Sequence, residues 1–370
     1  MEKWTCAVPC LFGLEGLVAQ ELRKMDLEDV RAENGRVLFS GDFSEIIKVN
    51  LRLRTGERVL LRLAAFPART FEELFQGVYH TPLEEIIPKD GEFPVKGHCL
   101  NSQLHSVPDC QAIIKKAAAG RLGEKYHERW LPETGAKYQL QFSIMKDQAE
   151  LFLDTTGAGL HKRGYRAVGN DAPLRETLAA AMVTLSRYRG RDIFVDPFCG
   201  SGTIAIEAAM IAKNRAPGLN RSFSCEKWQM SRRELWQEAR QEAIALEFHG
   251  DYRIFASDID PKSLAIARSN AKKAMVDDCI TFSEADARTL ELPQGRGVIV
   301  TNPPYGQRML EQRQAQQLLR EFGRHMTGVK DYSQYIISSE EELERYYGKK
   351  CTKKRKLYNG MIKCNLFMYY

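Results

Sequence analysis

Short apolar runs bounded by turn residues recur from about residue 190 onward. "DIFVD", "YRIFASD", "ITFSEAD", "GVIVT" and "QYIISS" each read as a strand. Between them, "TIAIEAAMIA", "DPKSLAIARSNAKKA" and "QQLLREFGRHM" carry the 3.6-residue apolar spacing of helices. Strand–helix alternation of this kind predicts an α/β domain with a doubly wound, mainly parallel sheet. Such sheets bind ligands at the carboxyl ends of their strands. Those ends carry Asp196, Asp258, Asp286 and Asn302.

The first half has a different pattern. In residues 1–65, "TCAVPC", "GRVLFSG" and "RVLLRLAAF" read as strands and "GLEGLVAQELRKM" as a helix, which makes a small α+β unit. Residues 66–155 form a second unit. There "FPVKGHCL" is a strand and "DCQAIIKKAAAGRLGEKY" a helix, with Ser106 to Asp109 opening it as a capping box would. "YQLQFSIMKDQAELFLDTTG" alternates apolar and polar residues around Lys146-Asp147, a hairpin signal.

The chain has 370 residues, enough for two or three domains, and 44% hydrophobic content, enough for a substantial core. No apolar run is long enough to cross a membrane, and the start of the chain lacks the pattern of a signal peptide, so a cytoplasmic protein is expected. Nine scattered cysteines without a CxxC pair predict reduced, buried thiols, with no disulfide framework and no metal site. Net charge is +6, yet residues 1–60 hold 9 Lys/Arg against 10 Asp/Glu and residues 66–155 hold 10 against 13. The positive excess therefore lies beyond residue 155, and an anionic partner is expected there. The basic stretches are "HKRGYR" (161–166) and "KKCTKKRK" (349–356).

"DPFCGSGTIA" (196–205) places Gly200-x-Gly202-x-x-Ala205 after a strand, which fits the dinucleotide fingerprint. A nicotinamide site also wants an acid about 20 residues on, at the end of the second strand. That region here is "LNRSFSCEKWQ", which is not strand-like, and the second strand ends much later at Asp258. A phosphate-binding P-loop is excluded because no Gly-Lys-Ser/Thr follows. The excess length between the two acids, roughly 213–228, reads as an inserted segment. "TNPPYGQRM" (301–309) follows the strand "GVIVT" with a stiff loop, because two prolines fix the backbone. An exocyclic amine becomes nucleophilic when both its N–H bonds are held by acceptors. The Asn302 side-chain oxygen and the Pro303 carbonyl supply two, and Tyr305 supplies a ring for stacking.

Together these residues resemble the motifs of class I S-adenosylmethionine-dependent methyltransferases. That resemblance implies a cofactor whose amino-acid part lies against Gly200 and Gly202, with its ammonium near Asp196. It implies ribose hydroxyls on Asp258, an adenine on Ile259 and the adenine amino group on Asp286, with Phe198, Thr203, Ala287 and Asn302 also at the cofactor. The Asn-Pro-Pro-Tyr motif is similar to those of enzymes acting on adenine N6, cytosine N4, guanine N2 or a glutamine side chain, and its chemistry does not separate them.

Residues 66–155, with "ELFLDTTGAGLHKRGYR", resemble a THUMP domain, an RNA-binding module, and residues 1–65 the ferredoxin-like domain that precedes it. "APLRETLAAAM" (172–182) resembles the helix that closes over the methionine end of the cofactor. Over its whole length the chain is thus similar to THUMP-containing guanine-N2 RNA methyltransferases, above all the bacterial enzymes acting on large-subunit ribosomal RNA. The implied fold is a Rossmann-like methyltransferase domain (161–370) with a seven-stranded, mainly parallel sheet and a C-terminal antiparallel hairpin, preceded by ferredoxin-like (1–65) and THUMP (66–160) domains. Residues 161–190 are its linker and closing helix. The implied activity is methylation of a guanosine N2 amine in RNA, most of all 23S ribosomal RNA. Adenine N6 of RNA or DNA, and guanine N2 of transfer RNA, are the alternatives. RNA is expected to run from the THUMP face past His161, Lys162, Arg163 and Arg166 to Tyr305, with Lys353, Lys354 and Arg355 beside the target.

Overall fold

Two seven-stranded sheets carry the fold in the computed structural model, which describes residues 3–166, 174–304, 309–360 and 362–370, without the side chains of 309, 310 and 312. The first sheet comes from β1 (Trp4–Pro9), α1 (Glu15–Arg23), β2 (Glu28–Glu33), β3 (Arg36–Gly41), α2 (Phe43–Arg52), β4 (Leu60–Pro67), α3 (Phe71–Tyr79), β5 (Val95–Leu100), α4 (Val107–Tyr126), β6 (Leu140–Met145) and β7 (Gln148–Asp154). Its strand order is β2-β3-β1-β4-β7-β6-β5. β4 pairs antiparallel with both β1 and β7, so the two front units share one continuous sheet. Lys146 and Asp147 both take left-handed backbone (φ 52° and 60°), which makes the expected tight turn between β6 and β7.

Several front elements escaped the sequence reading. β2 is exposed at all but one position, so no apolar period announces it. α2 and α3 carry true capping boxes: Asp42 with Glu45, and Thr70 with Glu73. The box expected at Ser106 does not form. Ser106 is the N-cap of α4, but its side chain makes no capping bond. The third residue is Asp109, whose side chain is one methylene shorter than the glutamate or glutamine the motif uses.

The second sheet follows from α5 (Glu176–Leu185), β8 (Ile193–Asp196), α6 (Thr203–Ala212), α7 (Arg233–Ala245), β9 (Ile254–Asp258), α8 (Pro261–Ala274), β10 (Ile280–Glu284), β11 (Gly297–Thr301), α9 (Met309–Met326), β12 (Tyr332–Ser338), α10 (Leu343–Tyr347), β13 (Lys353–Asn359) and β14 (Ile362–Tyr369). The order is β10-β9-β8-β11-β12-β14-β13. β10, β9, β8, β11 and β12 are mutually parallel, and β14 and β13 are antiparallel, as the class I methyltransferase fold requires. β8 and β11 are buried along their length, which is why they read as unbroken apolar runs. Among the described residues no helix is long and apolar enough to cross a membrane.

The inserted segment ties the two halves together. Its Phe223, Cys225 and Trp228, with Trp236 of α7 just beyond it, lie in the front core, not in the core of their own domain. The Trp228 indole stacks on Tyr138 (5.1 Å, 15°) and its Nε1 donates to the Lys137 carbonyl at 2.9 Å. Gly218 N–H donates to the Leu51 carbonyl at 2.8 Å, and a Cβ at Gly218 would meet Leu51 Cα at 2.7 Å. In exchange, Leu14 of the front unit is buried in the methyltransferase-like core.

Candidate active site

The carboxyl ends of β8, β9, β10 and β11 converge on a cleft of about 420 Å³. The cleft is lined by Phe198, Gly200, Asp258, Ile259, Asp286, Ala287 and Asn302, so seven of the sequence-chosen residues meet there. Asp196, Gly202, Thr203 and Pro303 form the layer beneath, buried or turned from the cleft. Tyr305 lies outside the described residues.

β8 ends in a tight turn that only glycine makes comfortably. Gly200 and Gly202 have φ of 49° and 83°, and Gly202 caps α6. A Cβ at Gly202 would sit 3.0 Å from that of Ala267 on α8. The turn is pinned to β9: Cys199 N–H donates to the Ser257 carbonyl at 2.9 Å, and Gly200 N–H to Asp258 Oδ2 at 2.8 Å. Asp258 Oδ1 accepts Asp260 N–H at 3.0 Å. Ile259 follows it with 63% exposure, a large apolar side chain left facing the cleft.

Asp196 is wholly buried, and Oδ1 accepts from the Thr301 hydroxyl at 2.8 Å and the Phe198 N–H at 3.3 Å. Its Oδ2 is buried without a partner. Burial lifts the carboxyl to about 7, and the nearby Asp258 charge adds to the effect. A buried acceptor lacking a donor, behind an apolar platform, is suited to a ligand that carries a cation or a donor at one end and a flat ring at the other.

Asp286 is not the free acceptor that the sequence implies. Arg288 clamps it, with Nε on Oδ1 at 2.9 Å and Nη2 on Oδ2 at 2.5 Å, and holds its carboxyl below the usual range. Arg288 also lines the cleft and reaches Glu321 at 3.1 Å. The sequence reading missed it, although its position two residues after Asp286 was a signal for such a clamp. Pro304 and Leu318 of α9 close the cleft wall and were also missed.

Several basic residues correct their assignments. Arg163 is 2% exposed and donates to the buried Glu207 at 3.3 Å and to the carbonyls of Leu160 and Arg54, so it serves the interior and not RNA. Arg166 turns inward, donating to the Thr203 hydroxyl at 2.7 Å and pairing with Glu176 at 3.3 Å. That bond takes up the Thr203 hydroxyl behind the glycine turn, so Thr203 is a support for the site and not part of its lining. His161 is half-buried, 3.4 Å from the Glu57 carboxylate, while Lys162 is exposed. Lys353 and Arg355 do not stand beside the Asn302 loop; alternation along β13 points them into a separate cavity. Lys354 lies over the Phe367 ring at 4.5 Å. α5 lines none of the cleft; it is buried beside α6, and residues 172 and 173 of the expected closing helix lie outside the described residues. The nine cysteines are free, seven of them buried, and no group of metal ligands occurs among the described residues.

Comparison with known proteins matches three stretches of the chain. Residues 163–367 match the family described as RMKL-like, methyltransferase domain. Residues 5–60 match the RlmL ferredoxin-like domain, and residues 68–154 the THUMP domain. The chain is 44% identical over its whole length to the Bacillus subtilis (strain 168) protein named "Putative RNA methyltransferase YpsC", covering 97% of it. It is 34% identical, over 98% of its length, to the ribosomal RNA large subunit methyltransferase K/L of Psychromonas ingrahamii. The chain spans about half (49%) of the length of that relative. The solved structure titled "Crystal structure of SMU.472, a putative methyltransferase complexed with SAH" is 39% identical and superposes with a TM-score of 0.93, over 100% of this chain and 98% of that one.

Proposed function

This chain belongs to the RMKL-like methyltransferase family, and on that premise we propose that it moves a methyl group from S-adenosylmethionine to the N2 amine of a guanosine in RNA, namely 23S ribosomal RNA. One observation carries the reading. The Asn302–Pro304 loop shares a cleft with Gly200, Asp258 and Ile259, so an amine-holding loop and a cofactor cradle face the same space.

The residues fit the cofactor. Asp196 Oδ2 lacks a donor, and the cofactor's ammonium would supply one. Asp258 is held rigid by the glycine turn and offers its remaining acceptor positions to ribose hydroxyls. Ile259 is the exposed face for adenine. A carboxylate has about four acceptor positions, so Asp286 keeps one for the adenine amino group beside the Arg288 clamp. The relative solved with SAH supports this choice of ligand.

When bound, S-adenosylmethionine supplies an electrophilic methyl group. The chain supplies position and polarity. Asn302 accepts one N–H of the guanine amine, the Pro303 carbonyl accepts the other, and the ring of Tyr305 stacks on the base. Holding both N–H bonds pulls the nitrogen lone pair out of conjugation and aims it. Such positioning lowers a barrier by up to about 7–11 kcal/mol. The nitrogen becomes acidic as it gains the methyl and gives its proton to water, so no strong base is needed.

The front half points to RNA, since residues 68–154 match a THUMP domain and two relatives are named for RNA or ribosomal RNA. Incubation with labelled cofactor and deproteinised ribosomal RNA, followed by nucleoside analysis, tests the proposal. N2-methylguanosine is the expected product; N6-methyladenosine or no RNA product would refute it.

A further inference from the structure

A second hollow lies at the opposite end of the strands. A cavity of about 710 Å³ opens between α1 of the front unit and the face of the second sheet, at the amino ends of β11 and β12. β11 begins in this hollow at Gly297 and ends near Asn302 in the cofactor cleft, and the two hollows share no lining residue among the described ones. Five residues of strand separate them by roughly 16 Å.

The lining is cationic. Arg187, Arg189, Arg296, Lys353 and Arg355 face Asp192, the one acidic side chain of the described lining. None of these five forms an ion pair among the described residues. Arg187 sits just past the end of α5 with φ 63°, a place where helices usually use glycine, and its charge acts on Tyr335 in the cavity wall.

A smaller hollow of about 300 Å³ continues the first, sharing Thr184 and Arg189. It adds Lys24, Arg52 and Arg54 along the front unit. Arg54 Nη1 is buried without a partner. The carboxylate in this wall, Glu21, is already used by the N–H groups of Arg54 and Thr55 at 2.7 and 3.2 Å. Exposed aromatic rings stand along the groove. Tyr370 is 66% exposed and stacks on Tyr335 (6.4 Å, 26°), and Phe248 is 60% exposed in the smaller hollow.

We infer that this seam between the front unit and the methyltransferase domain is a track for a single RNA strand, with phosphates on the arginines and lysines and bases on Tyr370 and Phe248. Cations that follow a groove, with interleaved aromatic rings, form the recognition pattern of single-stranded nucleic acid. A duplex keeps its bases stacked inside and cannot use these rings. The inference rests on RNA being the substrate. It places the flanking RNA behind the sheet, with the target base reaching the Asn302 loop around its edge. It also explains why the front half is not itself strongly basic: the cations sit along its seam with the second half.

The test uses the full chain and a short labelled oligouridylate, titrated at several salt concentrations. The exposed pair Arg187→Glu/Arg296→Glu should weaken binding at least tenfold. It should lower the salt slope by about 1.4, since each single-strand phosphate contact contributes about 0.7. Tyr370→Ala should weaken binding while leaving the slope intact. S-adenosylhomocysteine binding should be unchanged in all variants, which confirms their folding. Unchanged oligonucleotide affinity and slope in the charge-reversed pair would overturn the inference. So would uridine monophosphate binding as tightly as the oligonucleotide, which would make the hollow a free-nucleotide site. Loss of oligonucleotide binding in the variants, with no methylation of ribosomal RNA by the unaltered chain, would keep this track and reject the proposed reaction.

Discussion

Asp258 Oδ2 accepts the backbone N–H of Gly200 at 2.8 Å, so the end of β9 holds the turn that follows β8. One carboxylate therefore shapes the turn and also lines the cleft. Asp258→Ala should weaken S-adenosylhomocysteine binding by about 10- to 100-fold, the worth of one or two hydrogen bonds to a charged group. It should also loosen the turn, because Gly200 N–H loses its acceptor. Calorimetric titration gives the affinity, and hydrogen exchange at Gly200 reports the turn. An affinity within twofold of the unaltered chain would contradict this dual role.

The buried Asp196 gives a pH signature. Its carboxyl is raised to about 7 by burial, whereas an unfolded aspartate titrates near ~3.9. Between these values the folded chain holds a proton that the unfolded chain has lost. The contribution of Asp196 to stability therefore falls as pH rises from about 4 to about 7, and it levels off above that. Asp196→Asn removes this slope. Its melting temperature should gain on that of the unaltered chain between about pH 5 and 7, then run parallel above about pH 8. Cofactor binding should be lost in the same variant. A difference in melting temperature that is independent of pH would count against the buried ionisation.

Asn302 lines the cleft from the end of β11, whereas the glycine turn is held by Asp258 at the end of β9. Asn302→Ala should reduce methyl transfer by about 10²- to 10³-fold, the usual effect of removing one preorganised polar group from a transition state. S-adenosylhomocysteine affinity should stay within threefold. Single-turnover transfer and equilibrium binding together test this, and retained transfer would refute the amine-holding role.

Arg163 separates a basic residue that supports the fold from one that touches RNA. It is 2% exposed and paired with the fully buried Glu207. Arg163→Met strands the Glu207 carboxylate and should cost about 3–5 kcal/mol of stability. The salt slope of RNA binding should not move, because no phosphate contact is lost. Denaturant unfolding and salt-dependent binding separate the two effects.

Burial explains where the sequence was legible and where it was not. β8 and β11 announce themselves because strands covered on both faces must be apolar throughout. Asp196, at the end of β8, was legible for the same reason, since a carboxylate that interrupts an apolar run calls for a ligand or a cap. β2 was not legible, because an exposed strand obeys no apolar period. Arg163 and Arg166 were misread because charge is visible in a sequence and its partner is not: Glu207 lies 44 residues from Arg163, on α6. The basic run at 349–356 was read as one patch, yet alternation along β13 splits it between two faces, with Lys353 and Arg355 in the seam cavity and Lys354 over Phe367.

The inserted segment is the last place where a sequence feature without a legible role acquires a physical one. Trp228 is 2% exposed, stacks on Tyr138 and donates to the Lys137 carbonyl, all in the opposite half of the molecule. Burying an indole of about 150–250 Å² contributes roughly 4–6 kcal/mol of gross transfer energy. Truncating it leaves a cavity at the junction and removes one of the two bonds that the Lys137 carbonyl accepts, the Ser224 hydroxyl keeping the other at 3.1 Å. Trp228→Ala should therefore destabilise the chain by about 3–5 kcal/mol. Because the lost contact spans the two halves, unfolding should change from one transition to two, with the front unit melting apart from the methyltransferase domain. S-adenosylhomocysteine affinity should persist in the folded variant, while transfer to ribosomal RNA should fall, since the front unit no longer sits at a fixed angle to the Asn302 loop. Scanning calorimetry checks the first outcome and paired binding and transfer assays the second. A single transition with full transfer would show that the insertion merely fills space.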